Sequence, residues 1–407
     1  MQKTNAVPGD YVEVLFLNKS YKGTFLEPPE SETGIILIKL DTGYNIGFNR
    51  KDVLEIKLLK EASEKKEENE IKKDQNKPNI AMIITGGTIA SSYDSKTGGV
   101  SPLTKAEDLF RFYPELFERV NVLKVEVPFM KASEDMSFKD WQKIARTSEK
   151  LLNNPDIKGI IITHGTDTLH YTSAALSFFL GKVNKPVVLT YSQRSIDRAS
   201  SDANLNLQCS ALAVISDIAE VMLVGHATTN DDYCYAMPGT KVRKMHSSKR
   251  DAFKTINTKP FAKIFSDRIE IISEYKTRNK NKIKADVKFE EKVALLKFYP
   301  GQNPDILDYY ARKKYKGIVI ESTGLGHVPA LTSKNSWLPM LKKIIAKGVF
   351  VCITTQCVYG RVNPHVYSNL RALSKTGVIF LEDMLAETAF VKLGWILGHK
   401  ELAKDME

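Results

Sequence analysis

The sequence predicts an α/β protein with mostly parallel sheets in two lobes, preceded by a small all-β module. From residue 80 onward, short apolar β-branched runs alternate with helix-like stretches, which is typical of βαβ units. Residues 8–58 instead show strand-like runs with turn signals about ten residues apart, as in a small barrel or sandwich. Two charged, apolar-poor stretches separate these parts of the 407-residue chain.

The changes in composition divide the chain into five predicted segments. These are a small β-barrel-like domain over residues 1–59, a charged linker over 60–78, a first α/β lobe over 79–274, a connection over 275–292 and a second α/β lobe over 293–407. Lysine, glutamate, asparagine and aspartate dominate the linker. It therefore cannot bury enough apolar surface to offset the entropy of ordering.

Each predicted strand of the two lobes is a short apolar run. The first lobe has such runs at residues 80–84, 122–127, 159–163, 186–190 and 220–224, and the second at 293–298, 317–320 and 349–353. Between them, residues 169–180 place Leu169, Leu176, Phe179 and Leu180 on one face of a predicted helix. A final helix is predicted near residues 386–397.

Composition excludes several classes of protein. The chain has no apolar run of about 18 residues and no apolar leader after Met1, so we expect a cytoplasmic protein without membrane contact. Four scattered cysteines fit structural thiols in a reducing compartment, and no metal site is predicted. The net charge of +11 favours a polyanionic partner, although charge alone does not distinguish nucleic acid from a solvated surface.

Two threonine-bearing loops carry the chemistry. Residues 85–90 (TGGTIA) and 164–168 (HGTDT) each follow an apolar run, so both loops are expected at the carboxyl ends of buried strands, where open α/β sheets bind ligands. Hydroxyls, a carboxylate and glycine-exposed N–H groups suit acyl transfer by a threonine nucleophile. The first loop could also be an ordinary strand-to-helix turn, and Asp167 could be a helix N-cap before Leu169.

A threonine hydroxyl needs a base or a cation to activate it. Lys244 stands in the basic segment 240–247 (TKVRKMHS), and burial or positive neighbours could lower the pKa of such a lysine. By charge alone it would be one exposed surface lysine among many.

Four ordered motifs resemble the L-asparaginase/glutaminase family from about residue 79 to the end. They are TGGTIA at 85–90, HGTDT at 164–168, FYPG at 298–301 and DMLAETA at 383–389. The β module, with LDTGYNIG at 40–47, is similar to the extension of one branch, the D subunits of archaeal glutamyl-tRNA(Gln) amidotransferases. The resemblance implies a two-lobed asparaginase-like fold after the β module.

The resemblance also implies two sets of site residues. The catalytic set is Thr88, Thr166, Asp167 and Lys244. The substrate-binding set is Ser133 for the α-carboxylate, Glu134 beside it for the α-ammonium together with Asp167, and Gly87, whose surrounding N–H groups would stabilise the oxyanion with those near Thr166. His164 is expected to orient its loop, and Cys357 to belong to a packing segment.

The sequence departs from the family pattern at two places. Gly98-Gly99-Val100 stands about where the family has a tyrosine after its first loop, and Tyr93 is a poor substitute at that spacing. His327 stands where periplasmic members have an asparagine, and by itself it reads as a structural histidine. Both departures put unregulated asparaginase activity in doubt and are compatible with a gated glutaminase.

The function implied by the branch is that of a glutaminase subunit. It would supply ammonia to a partner, the E subunit (GatE), which converts Glu-tRNA(Gln) to Gln-tRNA(Gln) with ATP and Mg²⁺, so this chain itself is expected to bind no cofactor. A heterotetramer with two copies of each subunit is expected, in which the asparaginase-like lobes form a homodimer. A stand-alone cytoplasmic L-asparaginase would not need residues 1–78, and a non-catalytic tRNA-binding scaffold would not need to retain the catalytic set.

Overall fold

The computed structural model describes residues 6–26, 34–41, 45–61, 74–93, 100–102, 114–194, 200–399 and 401–402. Most of the predicted linker lies outside the described residues, as do Gly98 and Gly99 at the position of the missing family tyrosine. Within the described part of the chain, no helix combines the length and apolar character that a bilayer span requires.

The N-terminal module is a single antiparallel sheet of five strands. They are β1 (Tyr11–Leu15), β2 (Ser20–Leu26), β3 (Ile35–Leu40), β4 (Asn45–Asn49) and β5 (Glu55–Lys60), in the order β4-β3-β2-β1-β5. Alternate side chains, such as Val12, Val14, Ile36 and Ile38, are buried because successive residues of a strand point to opposite faces. The all-β prediction for this region is confirmed, with β4 and β5 as the two edges of the sheet.

The first lobe is built on an eight-stranded sheet with helices between the strands. Its elements are β6 (Asn79–Ile84), β7 (Ser91–Tyr93), β8 (Val100–Pro102), α1 (Pro114–Arg119), β9 (Asn121–Glu126), α2 (Phe138–Leu152), β10 (Ile160–Thr163), α3 (Leu169–Leu180), β11 (Val187–Thr190), α4 (Ala203–Ile215), β12 (Val221–His226), β13 (Cys234–Pro238), β14 (Val242–Lys244), β15 (Phe253–Thr255), β16 (Ala262–Ile264) and β17 (Ile269–Ile271). The sheet order is β17-β16-β13-β12-β11-β10-β6-β9. The five neighbouring strands β9, β6, β10, β11 and β12 are parallel, and β13, β16 and β17 extend the sheet in antiparallel fashion.

The central strands of this sheet are apolar throughout because both faces are covered. Ala81 and Ile83 of β6 belong to the core under α2 and α3, whereas Ile80, Met82 and Ile84 belong to the core under α4. Buried parallel strands read as continuous apolar runs for this reason, which is why the sequence predicts them closely.

The second lobe is a smaller parallel sheet with helices. Its elements are β18 (Val293–Lys297), α5 (Asp305–Arg312), β19 (Gly317–Ser322), α6 (Leu338–Ile345), β20 (Phe350–Thr355), α7 (Ser368–Ser374), β21 (Ile379–Phe380) and α8 (Ala386–Leu397). The four strands are adjacent in chain order. Helix α8 also packs against α3 of the first lobe, where the rings of Phe178 and Trp395 stack 6.1 Å apart. The predicted α/β fold with two lobes is confirmed.

The connection between the lobes is charged in sequence yet packs against the first lobe. Ile283 and Val287 are buried in its core, and the ring of Phe289 stacks on Phe138 at 5.8 Å. The guanidinium of Arg278 donates hydrogen bonds to backbone carbonyls at the end of α4, that of Ser216 at 2.6 Å and that of Val214 at 2.9 Å. A few apolar side chains and Arg278 therefore anchor a segment that is rich in charged residues.

Polar residues at both ends of the short β14–β15 hairpin contact the second lobe. The ammonium of Lys241 lies 2.7 Å from Oδ2 of Asp383. Asn257 exchanges two hydrogen bonds of 2.9 Å with the backbone of Gly360, donating from Nδ2 and accepting at Oδ1. The strand that carries Lys244 is thus held by residues of both lobes.

Candidate active site

Three loops meet at the carboxyl edge of the first-lobe sheet. They comprise residues 85–88 after β6, 131–135 after β9 and 164–168 after β10, and these three strands are neighbours in the sheet. The backbones approach so closely that side chains would not fit. A Cβ added to Gly86 would lie 2.3 Å from the carbonyl oxygen of Lys131, and one added to Gly87 would lie 2.5 Å from the nitrogen of Gly165.

The paired glycines are also needed for the direction of the chain. Gly86 and Gly87 have φ angles of +121° and +84°, a region that L side chains rarely adopt. The turn delivers Thr88 immediately after the contact with the second loop, at the start of a short 3-10 helix, where its side chain is half-buried. Thr88 is therefore placed beside the loop that carries Thr166.

The ammonium of Lys244 joins the two polar residues of the second loop. Its Nζ donates hydrogen bonds to Oγ1 of Thr166 at 2.8 Å and to Oδ1 of Asp167 at 2.7 Å. The lysine side chain is only 9% exposed, whereas that of Asp167 is 63% exposed. A buried cation thus touches the threonine hydroxyl, and the carboxylate beside it opens to the solvent side of the cleft.

The β14–β15 hairpin fixes the position of Lys244. Lys244 is paired in register with Phe253, and the nitrogen of Met245 donates to the carbonyl of Ala252 at 2.6 Å. Phe253 is almost fully buried, with its ring 4.6 Å from that of Tyr191. The aromatic core therefore fixes the strand whose last residue is the lysine.

Ser133 lies under the second loop and holds it. Its buried Oγ accepts hydrogen bonds from the backbone nitrogens of Asp167 at 3.2 Å and Thr168 at 3.4 Å. The hydroxyl of Thr168 donates in return to the carbonyl of Ser133 at 2.6 Å. Among the interactions of the described residues this hydroxyl only accepts hydrogen bonds, and Glu134 beside it is exposed. The structure thus brings the loops and the strand that carry all seven predicted site residues to one place.

His164 orients the second loop, as expected from the sequence. Its ring is fully buried, with Nδ1 2.7 Å from the carbonyl oxygen of Gly165 and Nε2 2.9 Å from the hydroxyl of Thr172. Burial lowers the pKa of His164 to about 4, because no water reaches the charged form. A neutral imidazole with both nitrogens engaged is a structural group here.

A buried polar cluster beside Lys244 was missed by the sequence analysis. The guanidinium Nε of Arg243 lies 3.0 Å from Oε1 of Glu387, and Nε2 of His170 lies 3.9 Å from the same oxygen. Nδ1 of His170 and Oε2 of Glu387 are buried and have no hydrogen-bond partner among the described residues. These side chains and Lys244 line an open cavity of about 340 Å³. Glu387 stands in the DMLAETA motif at 383–389 and Arg243 in the basic segment at 240–247, but neither segment indicates that the two side chains meet.

The charges of this cluster follow from its burial. Desolvation lowers the pKa of His170 to about 4, and the positive charges of Arg243 and Lys244 act in the same direction. Burial also raises the pKa of Glu387, against the opposing attraction of Arg243. His170 is therefore neutral near pH 7, and its contact with Glu387 is not an ion pair.

His327, one of the two departures from the family pattern, and Cys357 both lie apart from the catalytic set. The backbone of His327 closes a tight turn with Thr323, and its ring lies 5.3 Å from that of Tyr367. Cys357 is exposed at the junction of the lobes, in a cleft that also involves Asn257 and Asp383. Neither residue contacts the catalytic set among the interactions of the described residues.

Comparison with known proteins identifies each part of the chain. Residues 6–59 match the family model "GatD N-terminal domain", residues 79–277 match "Asparaginase, N-terminal", and residues 292–407 match "Glutaminase/Asparaginase C-terminal domain". The D subunit of the glutamyl-tRNA(Gln) amidotransferase of Pyrococcus furiosus is 48% identical over 401 residues, which cover 96% of this chain and 90% of the relative. That of Methanothermobacter thermautotrophicus is 42% identical over 98% of this chain and 91% of the relative.

Solved structures agree with these matches. The thermostable L-asparaginase from Thermococcus kodakarensis superposes with a TM-score of 0.71 at 30% identity, covering 81% of this chain and 97% of that one. The probable cytoplasmic L-asparaginase from Campylobacter jejuni gives 0.66 at 25% identity, with 81% and 98% covered. The chain therefore belongs to the asparaginase/glutaminase family of amidohydrolases, and within it to the branch of the glutamyl-tRNA(Gln) amidotransferase D subunits.

Proposed function

We propose that this chain hydrolyses glutamine to glutamate and ammonia through a threonine nucleophile, and that it serves as the glutaminase subunit of a Glu-tRNA(Gln) amidotransferase. The contact that carries the proposal is the 2.8 Å hydrogen bond between Nζ of Lys244 and Oγ1 of Thr166, with Asp167 2.7 Å away on the same nitrogen. A hydroxyl, an amine and a carboxylate within hydrogen-bond reach are the parts of an activated nucleophile.

The reaction follows from these parts. A threonine hydroxyl attacks the δ-carbon of glutamine while its proton passes to Nζ of Lys244, which must first have released a proton of its own, and Asp167 stabilises the ammonium that is restored. The carbon–nitrogen bond then breaks, the proton leaves with ammonia, and a glutamyl ester remains on the threonine. Water hydrolyses the ester, releases glutamate and restores the hydroxyl. Backbone N–H groups near Gly87 and Thr166 stabilise the oxyanion.

The remaining residues hold the substrate. The Ser133 hydroxyl has a proton to donate to the α-carboxylate, and the exposed carboxylates of Asp167 and Glu134 attract the α-ammonium. When the carboxylate and the ammonium on the α-carbon are both held, that end of the amino acid is fixed and its side-chain amide can be directed to the threonines.

The relatives' name, a D subunit of a glutamyl-tRNA(Gln) amidotransferase, implies partner subunits and a tRNA, and we propose the rest of the assembly. The ammonia would pass to the E subunit (GatE), which uses ATP and Mg²⁺ to convert Glu-tRNA(Gln) to Gln-tRNA(Gln), in a complex with two copies of each subunit. In that complex the asparaginase-like lobes of two copies of this chain form a homodimer. Near-full-length identity of 42–48% to D subunits, including the N-terminal module, supports this assignment over a stand-alone enzyme.

Asparagine is the competing substrate, because the superposed structures are L-asparaginases. Ammonia release should be measured from glutamine and from asparagine, each with and without GatE and Glu-tRNA(Gln). We expect glutamine to be preferred and its hydrolysis to rise with the partner and the tRNA. Rapid asparagine hydrolysis that ignores both additions would contradict the proposal, and no hydrolysis under any condition would favour a scaffold.

The same assay identifies the nucleophile. Thr88→Val and Thr166→Val each remove one hydroxyl, and Thr229→Val removes an exposed one outside the site as a control. Mass spectrometry of the enzyme quenched during turnover should show a glutamyl adduct that disappears in one of the two site variants. If both site variants keep full activity, neither threonine takes part.

A further inference from the structure

The amino edge of the second-lobe sheet carries a row of lysines. Strands β18, β19, β20 and β21 are parallel and adjacent in that order, so their first residues lie along one edge. An exposed lysine precedes each strand, and we call these four the lysine row: Lys292, Lys316, Lys347 and Lys375. Since neighbouring strands lie roughly 4.8 Å apart, the four strand starts span roughly 14 Å.

Backbone contacts make this edge continuous. The nitrogen of Lys316 donates to the carbonyl of Lys292 at 2.7 Å, and the nitrogen of Phe350 donates to the carbonyl of Lys316 at 2.9 Å. The loop before β21 reaches the end of α6, where a Cβ on Gly377 would lie 3.3 Å from Ile345. The four lysines therefore stand on one connected surface.

The helices bring further cations to the same edge. Helices α5 and α6 start at the carboxyl edge of the sheet and end at its amino edge. The basic residues in or just after their last turns are Arg312, Lys313, Lys314, Lys342 and Lys343. Asp308 neutralises part of this positive charge, since its carboxylate oxygens lie 3.0 Å from Arg312 and from Lys343. The hydrogen bond from Lys343 lowers the pKa of Asp308, and the charges of Lys343, Arg312 and Lys347 act in the same direction.

Helix stabilisation explains only some of these residues. Cations in the last turn of a helix complement its dipole, which accounts for Arg312 and Lys343. Lys292 and Lys316 directly precede strands and gain nothing from a helix end. Glu290 and Glu291 precede Lys292, but within the described ranges no lysine of the row forms an ion pair within 4.0 Å. Positive charge thus remains in excess along the edge.

Tyrosine rings lie among the cations. The rings of Tyr309 and Tyr310 are 5.5 Å apart, and that of Tyr315 is 4.9 Å from Tyr310. Nζ of Lys292 lies 5.3 Å from the centre of the Tyr315 ring, and Tyr309 is 47% exposed. Aromatic rings beside lysines are the groups on which unpaired bases stack while phosphates meet the cations.

We propose that the lysine row and these tyrosines form a docking surface for the phosphate backbone of an RNA. Four cations along an edge about 14 Å long match a polymer that carries one negative charge per nucleotide. The surface lies at the amino edge of the second-lobe sheet, whereas the threonine loops lie at the carboxyl edge of the first-lobe sheet. The inference goes beyond the proposed function and rests on it only for the choice of tRNA as the RNA.

The test compares two variants of the full-length chain that lose the same charge. The row variant carries Lys292→Gln, Lys316→Gln, Lys347→Gln and Lys375→Gln. The control variant carries Lys139→Gln, Lys143→Gln, Lys150→Gln and Lys158→Gln, four exposed lysines of the first lobe. Binding of a tRNA(Gln) transcript is measured against salt concentration without glutamine or partner, and glutaminase activity is measured separately.

We expect the slope of log K against log salt to be reduced by roughly three in the row variant, so that it binds the transcript about 10³–10⁴-fold more weakly at 50 mM salt and approaches wild-type binding near about 1 M salt. The control variant should keep the wild-type slope, and both variants should keep the wild-type glutaminase rate. Tyr309→Ser should weaken binding without changing the slope, because stacking releases no counterions. A failure of the proposed function would appear in the glutaminase assay alone.

Two results would overturn the docking surface. Equal loss in the row and control variants would show that total charge, not its arrangement, attracts RNA. Unchanged tRNA binding by the row variant, together with loss of GatE in a pull-down, would assign the surface to an acidic protein instead.

Discussion

The guanidinium of Arg243 lies 3.0 Å from the buried carboxylate of Glu387 and joins the strand that carries Lys244 to the first turn of α8 in the second lobe. One residue farther along, the hydroxyl of Thr388 donates to the carbonyl of Thr240 at 2.9 Å. The base of the proposed reaction is therefore next to a cross-lobe ion pair that is largely shielded from water.

The Arg243–Glu387 pair should be strongly coupled. Removing one partner leaves the other charge buried, so Arg243→Gln and Glu387→Gln should each lower the free energy of unfolding, and the double variant should lose less than their sum. We expect a coupling energy of about 1–3 kcal/mol in urea unfolding. The exposed Arg361–Glu382 pair, at 2.9 Å, is the matched control and should give at most about 1 kcal/mol. Equal coupling in both pairs would contradict the buried role of Arg243.

Lys244 should determine turnover rather than binding. Lys244→Met removes the proton acceptor beside Thr166, so kcat for glutamine should fall by about 10²–10⁴-fold, with a smaller change in KM. Lys259→Gln, an exposed lysine nearby in the sequence, serves as the control and should leave kcat unchanged. A wild-type kcat for Lys244→Met would remove the lysine from the mechanism.

Gly87 should tolerate no side chain. In Gly87→Ala the added Cβ would meet the backbone of Gly165 at 2.5 Å, which forces the two threonine loops apart. A shift of about 1 Å can cost about 10²-fold in rate, and we expect a loss of that order in kcat. Gly301→Ala is matched, because Gly301 has φ of +82° against +84° for Gly87 but nothing within 4 Å of its Cβ position. Equal activity losses in the two variants would mean that backbone strain alone is responsible.

Stability should fall in mild acid because of two buried histidines. His164 and His170 have pKa values of about 4 in the fold against 6.5 in the unfolded chain, so the unfolded state binds more protons below pH 6.5. The free energy of unfolding should be at its full value above pH 6.5 and decline as the pH falls toward 4. His170→Gln should flatten this decline, whereas the exposed His365→Gln should not. Parallel curves for wild type and His170→Gln would contradict the assignment.

The sheets could be predicted from the sequence because their strands are buried on both faces. Residues 80–84 and 160–162 are uninterrupted apolar runs, and the structure has strands at Asn79–Ile84 and Ile160–Thr163. Such runs can be recognised as strands without knowing which strands lie beside them in the sheet. The antiparallel strands β16 and β17 were not predicted, because three residues each leave almost no periodicity.

The candidate site was predictable where it is local and unpredictable where it depends on distant pairing. Thr166 and Asp167 share one loop after an apolar run, and the family motif identifies them. The Arg243–Glu387 pair depends on how α8 packs against the first lobe, which neither local sequence reveals. The connection shows the same limit, since Phe289 belongs to an aromatic cluster although its neighbours in sequence are charged.

The β14–β15 hairpin has a consequence for control of the enzyme. Because Lys241 and Asn257 at its two ends are bonded to Asp383 and Gly360, a rotation of the second lobe would pull on the hairpin, whose Phe253 is packed in the first-lobe core. Any ligand that binds one orientation of that lobe more tightly would then change the alignment of the amine with the hydroxyl, without entering the cleft. Under such a rotation the hairpin would couple binding on the second lobe to the rate of amide cleavage.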